Sequence, residues 1–107
     1  MVEEITVRDL AALLAEPSTA PRVLDVREPW ELALASVEMT VNIPMGQVPD
    51  RLAELDPAQT MVVMCHHGNR SRQVAIFMKQ RGFSRVINLA GGIDAWSAEV
   101  DPTIPRY

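Results

Sequence analysis

The side chains most able to do chemistry lie together in residues 65–71, which read Cys-His-His-Gly-Asn-Arg-Ser. This segment contains the only cysteine and both histidines of the chain. A thiolate is a strong nucleophile, and its pKa falls near positive charge or at the amino end of a helix. Arg70 supplies a permanent positive charge, and His66 and His67 add more when they are protonated. The segment therefore predicts an activated cysteine beside a site for an anion.

The residues on either side of this segment predict how the cysteine is placed. Residues 60–64 are largely apolar and predict a buried strand that ends at Cys65. Residues 71–81 have helical spacing and are followed by Gly82, which is typical of a helix end. The free amides of that helix would point at the loop, where Gly68 allows successive amides to turn inward around a sulfur or an oxyanion. We therefore expect a substrate-binding loop made of His66, His67, Gly68, Asn69 and Arg70.

The rest of the chain alternates predicted helices with short apolar strands. Helices are expected from Thr6, whose side chain pairs with Asp9, from residue 28, around Val48 to Leu55, and over residues 93–99. Further strands are expected at residues 22–26, 40–43 and 85–89, and an extended tail after Asp101. Apolar strands that alternate with helices favour a parallel sheet covered on both faces. The sequence thus predicts a three-layer α/β domain.

Composition limits the kinds of protein that this chain can be. Its 107 residues suit one domain over residues 1–107, and a net charge of -4 argues against a nucleic-acid binder that relies on overall positive charge. The longest apolar run, residues 10–15, is far shorter than the roughly 20 residues that cross a bilayer. The start lacks the features of a signal peptide, and one cysteine excludes an internal disulfide. We expect a cytoplasmic domain that uses no membrane, nucleic acid or cofactor.

Several residues have structural as well as functional interpretations. A lone cysteine is often a small buried hydrophobe, but its position at a strand end before a helix favours a functional role for Cys65. A metal site of Cys65, His66 and His67 lacks a fourth ligand nearby, and adjacent residues rarely converge on one ion, so we expect no metal. The pair at residues 91–92 is expected to make a turn, and the residues Trp30 and Trp96 are expected to anchor the core.

Asp25 and Arg27 stand at the end of a predicted strand. They could form a structural ion pair or part of the wall of the active site, and we favour the structural role. With Ser71, which follows the loop, they are expected to support the site.

Four motifs in order resemble the rhodanese sulfurtransferase family. They are Val-Leu-Asp-Val-Arg-Glu at 23–28, Asn-Ile-Pro at 42–44, Cys-x-x-Gly-x-Arg-Ser at 65–71 and Leu-Ala-Gly-Gly-Ile-x-Ala-Trp at 89–96. Together they cover nearly the whole chain, as in a single-domain rhodanese. The resemblance implies a rhodanese-like three-layer fold, with a five-stranded parallel sheet and helices on both faces. It also implies that Cys65 accepts a sulfane sulfur as a persulfide and passes it to a nucleophile.

Two departures from the family pattern bear on these expectations. Many members carry Gly-His-Ile-x-Gly-Ala before Asn-Ile-Pro, whereas residues 35–40 here read Ala-Ser-Val-Glu-Met-Thr, so we expect a different turn. Members that use thiosulfate often have Arg or Lys directly after the cysteine, where this chain has His66 and His67. That difference weighs against thiosulfate as the physiological donor.

The expected function is transfer of a sulfane sulfur from a small donor, thiosulfate or a persulfide, through Cys65. No second cysteine can resolve the persulfide, so the acceptor is external: a thiol, cyanide or a protein. Arg70 would either bind the donor or brace the loop through a carboxylate. The alternatives are a non-catalytic rhodanese module that binds a partner protein, and a phosphatase or arsenate reductase. The loops of those enzymes resemble Cys-x5-Arg, whereas the shorter Cys-x4-Arg spacing here suits a single sulfur atom.

Overall fold

A five-stranded parallel sheet forms the centre of the computed structural model, which describes residues 2–107. The strand order is β1-β5-β4-β2-β3, and every neighbouring pair is parallel. The strands are β1 (Glu3–Ile5), β2 (Arg22–Asp25), β3 (Val41–Asn42), β4 (Met61–Met64) and β5 (Val86–Leu89). The most apolar strand, β4, is central, and all four of its residues are buried. Cys65 therefore follows the carboxyl end of the central strand.

Helices cover both faces of this sheet. They are α1 (Val7–Leu14), α2 (Pro29–Leu34), α3 (Val48–Arg51), α4 (Asn69–Gln80) and α5 (Gly92–Glu99). Side chains alternate along β4, so that Val63 joins the core under α3 and α4 while Val62 joins the core under α1 and α5. The predicted three-layer α/β fold is thus confirmed. No helix within residues 2–107 is long and apolar enough to cross a membrane.

The predicted ends of two helices, which depend on residues a few positions apart, are confirmed. The Thr6 side chain accepts a hydrogen bond from the Asp9 amide at 3.2 Å and caps α1. Helix α4 begins two residues earlier than expected, and Gly82 follows its end with φ 94°. Helix α3 is shorter than expected, because the chain beyond Arg51 forms a 3-10 turn over Leu52–Glu54.

Three expectations from the residues differ from the structure. Strand β1 was not predicted by its own pattern, because two of its three residues are exposed and charged at a sheet edge. The tail begins with a turn at residues 102–104 rather than extended chain, since the Asp101 carboxylate accepts hydrogen bonds from the Thr103 amide and hydroxyl. Trp96 is a core residue as expected, but Trp30 is 63% exposed and anchors nothing, because α2 turns the neighbouring Glu31 inward instead.

Candidate active site

Cys65 is the buried first residue of a tight loop between β4 and α4. The residue is 1% exposed, and its Sγ accepts a hydrogen bond from the Gly68 amide at 3.1 Å. Gly68 adopts φ 109°, a conformation that favours glycine, and a Cβ there would lie 3.3 Å from the Leu89 carbonyl oxygen. The predicted loop thus closes around the sulfur as the sequence indicated, with Gly68 at its turn. Asn69 is exposed and begins α4.

The amino end of α5 orients the first peptides of this loop. The Ile93 amide donates to the Cys65 carbonyl at 2.9 Å, and the Asp94 amide donates to the His66 carbonyl at 3.1 Å. In a trans peptide the N–H points away from the C=O, so these bonds turn the amides of the two following residues to the opposite side. Gly92 makes the approach possible, because a Cβ there would overlap both carbonyl oxygens. The predicted glycine turn therefore has a further role, which is to let α5 contact the loop.

Two opposing effects act on the Cys65 thiol. Burial raises its pKa, whereas hydrogen bonds from the Ser71 hydroxyl and from three backbone amides lower it. Those amides belong to Ser71, Gly68 and His67. The net result is a pKa below the usual value, which favours the nucleophilic thiolate.

Arg70 braces the loop through a carboxylate of α2. Its Nη1 and Nη2 donate to the Glu31 oxygens Oε2 and Oε1 at 2.7 and 2.8 Å, which is a bidentate pair. The hydrogen bond from Arg70 is the main reason that the pKa of Glu31 falls to about 2. Of the two roles considered for Arg70, bracing is the one found in this structure. Sequence reasoning missed Glu31, since a glutamate in the first turn of a helix carries no sign of a partner 39 residues away.

Asp25 and Arg27 form the expected structural ion pair. Both are fully buried, and the Arg27 guanidinium donates to Asp25 Oδ2 at 2.7 Å. The Asn42 side chain of β3 donates to the carbonyl oxygens of both residues at 2.9 and 3.0 Å. These bonds stabilise the carboxyl end of β2, next to β4.

Comparison with known proteins shows the family to which the chain belongs. A model of the rhodanese-like domain matches residues 6–99. The chain belongs to the rhodanese-like domain family. A protein named sulfurtransferase from Allochromatium vinosum is 34% identical over 104 residues, which cover 97% of this chain and 96% of that protein. The structure of a rhodanese-related protein from Thermoplasma volcanium superposes with a TM-score of 0.83 at 33% identity, covering 98% of this chain and 99% of that one.

A rhodanese-like domain of this kind also occurs within longer proteins. The Rhodanese-like/PpiC domain-containing protein 12, chloroplastic, of Arabidopsis thaliana is 38% identical over 112 residues. The match covers 99% of this chain but only 38% of the plant protein. The sequence-based assignment to the rhodanese sulfurtransferase family is thus confirmed, together with the five-stranded sheet that it implied.

Both histidines of this rhodanese-like domain lie in a stack of rings beside the cysteine. The ring of His66 lies 3.9 Å from that of His67 and 3.8 Å from that of Tyr107, measured between centroids. The Tyr107 hydroxyl accepts from Arg27 at 2.9 Å and donates to Glu31 at 2.9 Å. Tyr107 therefore connects the Asp25–Arg27 pair with the Glu31–Arg70 pair. No local pattern predicts this role, because Glu31 is 76 residues away.

The surroundings of His66 limit the positive charge that this histidine was expected to add when protonated. Burial, and then the charge of His67, lower the pKa of His66. Its Nε2 is buried and has no hydrogen-bond partner among residues 2–107. His66 thus resists protonation.

One group of side chains near the loop has the residue types of a metal site. Ligand atoms of His66, His67 and Asp94 lie within 4.8 Å of one another. However, the Asp94 carboxylate already accepts two hydrogen bonds from Arg106, both at 3.0 Å. His67 Nε2 lies 4.0 Å from Asp94 Oδ2, and the group offers three ligand atoms, one from each residue. This arrangement differs from a tetrahedral centre, and the absence of a metal stays a prediction.

Proposed function

We propose that this chain transfers a sulfane sulfur through a persulfide on Cys65. The main support is the set of inward amides at Sγ, of which the Gly68 amide donates at 3.1 Å. Such fixed donors stabilise negative charge without reorganising during the reaction. Both the thiolate and the terminal sulfur of a persulfide carry that charge. Membership of a family whose relatives include a named sulfurtransferase supports the same reaction class.

The reaction has two displacement steps. The Cys65 thiolate attacks the outer sulfur of a donor, forming a sulfur–sulfur bond, while the leaving group departs with the electron pair of the bond that breaks. Sulfite is that leaving group for thiosulfate, and a thiolate for a persulfide. An external acceptor (cyanide, a thiol or a protein) then attacks the terminal sulfur and releases the Cys65 thiolate.

The bracing of Arg70 argues against the phosphatase alternative. The bidentate pair with Glu31 takes two of the five guanidinium hydrogens of Arg70 and offsets its positive charge, which weakens its attraction for a phosphate dianion. The Cys-x4-Arg loop also encloses less space than Cys-x5-Arg. We therefore favour sulfur transfer, and the cytoplasmic location remains a prediction from the sequence.

Intact mass after incubation with a sulfur donor tests the proposal. Thiosulfate, or an organic persulfide as a second donor, should add about one sulfur, roughly 32 Da, and cyanide should remove it as thiocyanate. Cys65→Ser changes a single atom and should abolish both results. Loading by the persulfide alone would restrict the donor class. No loading by either donor would favour the non-catalytic module, and hydrolysis of a phosphate ester would favour the phosphatase.

A further inference from the structure

A buried chain of hydrogen bonds connects Cys65 to β5. The Ser71 Oγ lies 3.3 Å from Cys65 Sγ and 2.5 Å from Asn88 Oδ1. Ser71 and Asn88 are fully buried, so water cannot replace either partner. Asn88 belongs to none of the ion pairs of the site and was not singled out in the sequence. Its contact with Ser71 therefore needs an explanation of its own.

The donors and acceptors in this chain can be assigned from their chemistry. The Asn88 Nδ2 lies 3.1 Å from the Gly68 carbonyl oxygen and 3.3 Å from Glu4 Oε2, both of which only accept. The amide nitrogen must face them, which leaves Oδ1 facing Ser71. Only the Ser71 hydroxyl can supply the hydrogen between these two oxygens.

The Ser71 hydroxyl therefore has one hydrogen and two acceptors. When Cys65 is a neutral thiol, the hydroxyl donates to Asn88, and its lone pairs can accept the S–H hydrogen. A hydrogen bond to a charged acceptor is roughly twice as strong as a bond between neutral groups. A negative sulfur should then compete successfully for the hydrogen. The charge on the sulfur decides which acceptor the hydroxyl serves.

We propose that Asn88 is a positioning residue that holds the Ser71 hydrogen while Cys65 is neutral and yields it when the sulfur becomes negative. The negative sulfur is a thiolate or, on the proposed function, a persulfide. The hydroxyl then adds a donor to the fixed amides at the moment when charge appears. Asn88 limits the stabilisation of the thiolate, because each transfer of the hydrogen breaks the bond to Oδ1.

Other charged and titratable residues surround the loop, and they are the same in all the variants compared below. From α4, α2, β1, β2, α5, the tail and the loop itself these are Arg70, Arg72, Glu31, Glu4, Asp25, Arg27, Asp94, Tyr107, His66 and His67. None of them is changed in the variants that test the proposal.

The pH dependence of alkylation by iodoacetamide measures the Cys65 pKa in the full chain without a sulfur donor. Asn88→Leu keeps much of the side-chain volume but removes the competing acceptor, so the pKa should fall by about 0.5 to 1 unit. Ser71→Ala removes the donor and should raise the pKa by about 0.5 unit. In the Ser71→Ala background, Asn88→Leu should give no further fall. Ser84→Ala, at an exposed serine, should leave the pKa unchanged.

The direction of the shift separates this role from a merely structural one. If Asn88 only holds the loop through the Gly68 carbonyl, its loss would loosen the amides and raise the pKa, which would overturn the proposal. An unchanged pKa in Ser71→Ala, or an equal fall from Asn88→Leu with and without Ser71, would overturn it as well. Asn88→Ala replaces Asn88→Leu if leucine prevents folding. Alkylation needs no sulfur transfer. The pKa shifts can therefore be interpreted even if the proposed function is wrong.

Discussion

Two of the loops with a backbone in the left-handed region, the cysteine loop and the α2–β3 loop, have different kinds of residue at that position. In the cysteine loop, residues 65–68, the residue is Gly68 at φ 109°, which is buried and where a Cβ would contact the Leu89 carbonyl oxygen and the Gly91 amide. In the α2–β3 loop, residues 35–40, it is Met39 at φ 64°, whose side chain is exposed. An L-residue with a Cβ in this conformation costs about 1–2 kcal/mol. The chain thus avoids strain where amides must converge and accepts it at the surface.

The supporting contacts differ in the same way. Amides of α5 hold two carbonyls of the cysteine loop, and the Asn88 side chain holds a third. Within residues 35–40, the only side-chain hydrogen bond runs from the Thr40 hydroxyl to the Val37 carbonyl at 3.1 Å. Met39 also occupies the place where the rhodanese motif usually has its second glycine. The loop around the Cys65 sulfur thus receives contacts from several elements, whereas the surface connection has few and accommodates Met39 in a strained conformation.

The largest effect is expected for Gly92→Ala, which disrupts the contact between α5 and the cysteine loop. The new Cβ would overlap the Cys65 and His66 carbonyl oxygens, and neither is the end of a flexible side chain. Strain at φ 58° adds to the overlap, so we expect a loss of about 4 kcal/mol in the free energy of unfolding, together with loss of sulfur loading. Urea denaturation and intact mass measure the two effects.

Gly82→Ala is the matched control for this variant. Gly82 has φ 94°, but a Cβ there would meet nothing within 4 Å. It should cost only the conformational strain, about 1–2 kcal/mol, and leave sulfur loading intact. Equal losses in the two variants would show that contact between α5 and the cysteine loop contributes little.

The next effect concerns stability at low pH and the brace of the cysteine loop. The pKa of Glu31 is about 2 in the folded protein and 4.5 in the unfolded chain. The ionised Glu31 carboxylate therefore stabilises the folded state at pH values above 4.5. This contribution is lost as the pH falls from 4.5 towards 2, and it amounts to about 3 kcal/mol. Glu31→Gln should remove that part of the pH dependence, as measured by urea denaturation between pH 2 and pH 6.

Glu54→Gln provides the comparison with a surface pair. Glu54 also binds an arginine, Arg51, through two hydrogen bonds, but the pair is open to solvent. Solvent screens such a pair, so this variant should leave the pH dependence of stability almost unchanged. A flat profile in wild type from pH 4.5 to pH 2 would contradict the role given to Glu31.

The smallest effect is expected in the α2–β3 loop. Met39→Gly relieves the strain at φ 64°, and the 91% exposed side chain has little packing to lose. After the greater flexibility of glycine in the unfolded chain is subtracted, we expect a gain of about 0.5 to 1 kcal/mol. Met39→Ala retains a Cβ and should show no such gain. Destabilisation by glycine would mean that the contrast between the two loops does not reflect strain.

Much of the fold followed from local patterns. The apolar run of β4, the cap at Thr6 and the glycine after α4 each depend on residues a few positions apart. The same local chemistry predicted the buried turn at Gly68. Strand β1 could not be predicted from its own residues, because an exposed edge strand with two glutamates has no apolar pattern. The exposure of Trp30 escaped too, since the face that α2 presents to the core depends on Glu31 and its distant partners.

The sequence by itself determined which residues form the strand, the turn and the helix around Cys65, because these depend on neighbours in the chain. Only the tertiary structure decided what surrounds them. Glu31 meets Arg70 across 39 residues, Tyr107 meets Glu31 across 76, and Ser71 meets Asn88 across 17. A hydrogen bond between such residues requires the packed sheet to bring them within about 3 Å. Spacing along the chain carries no record of that distance.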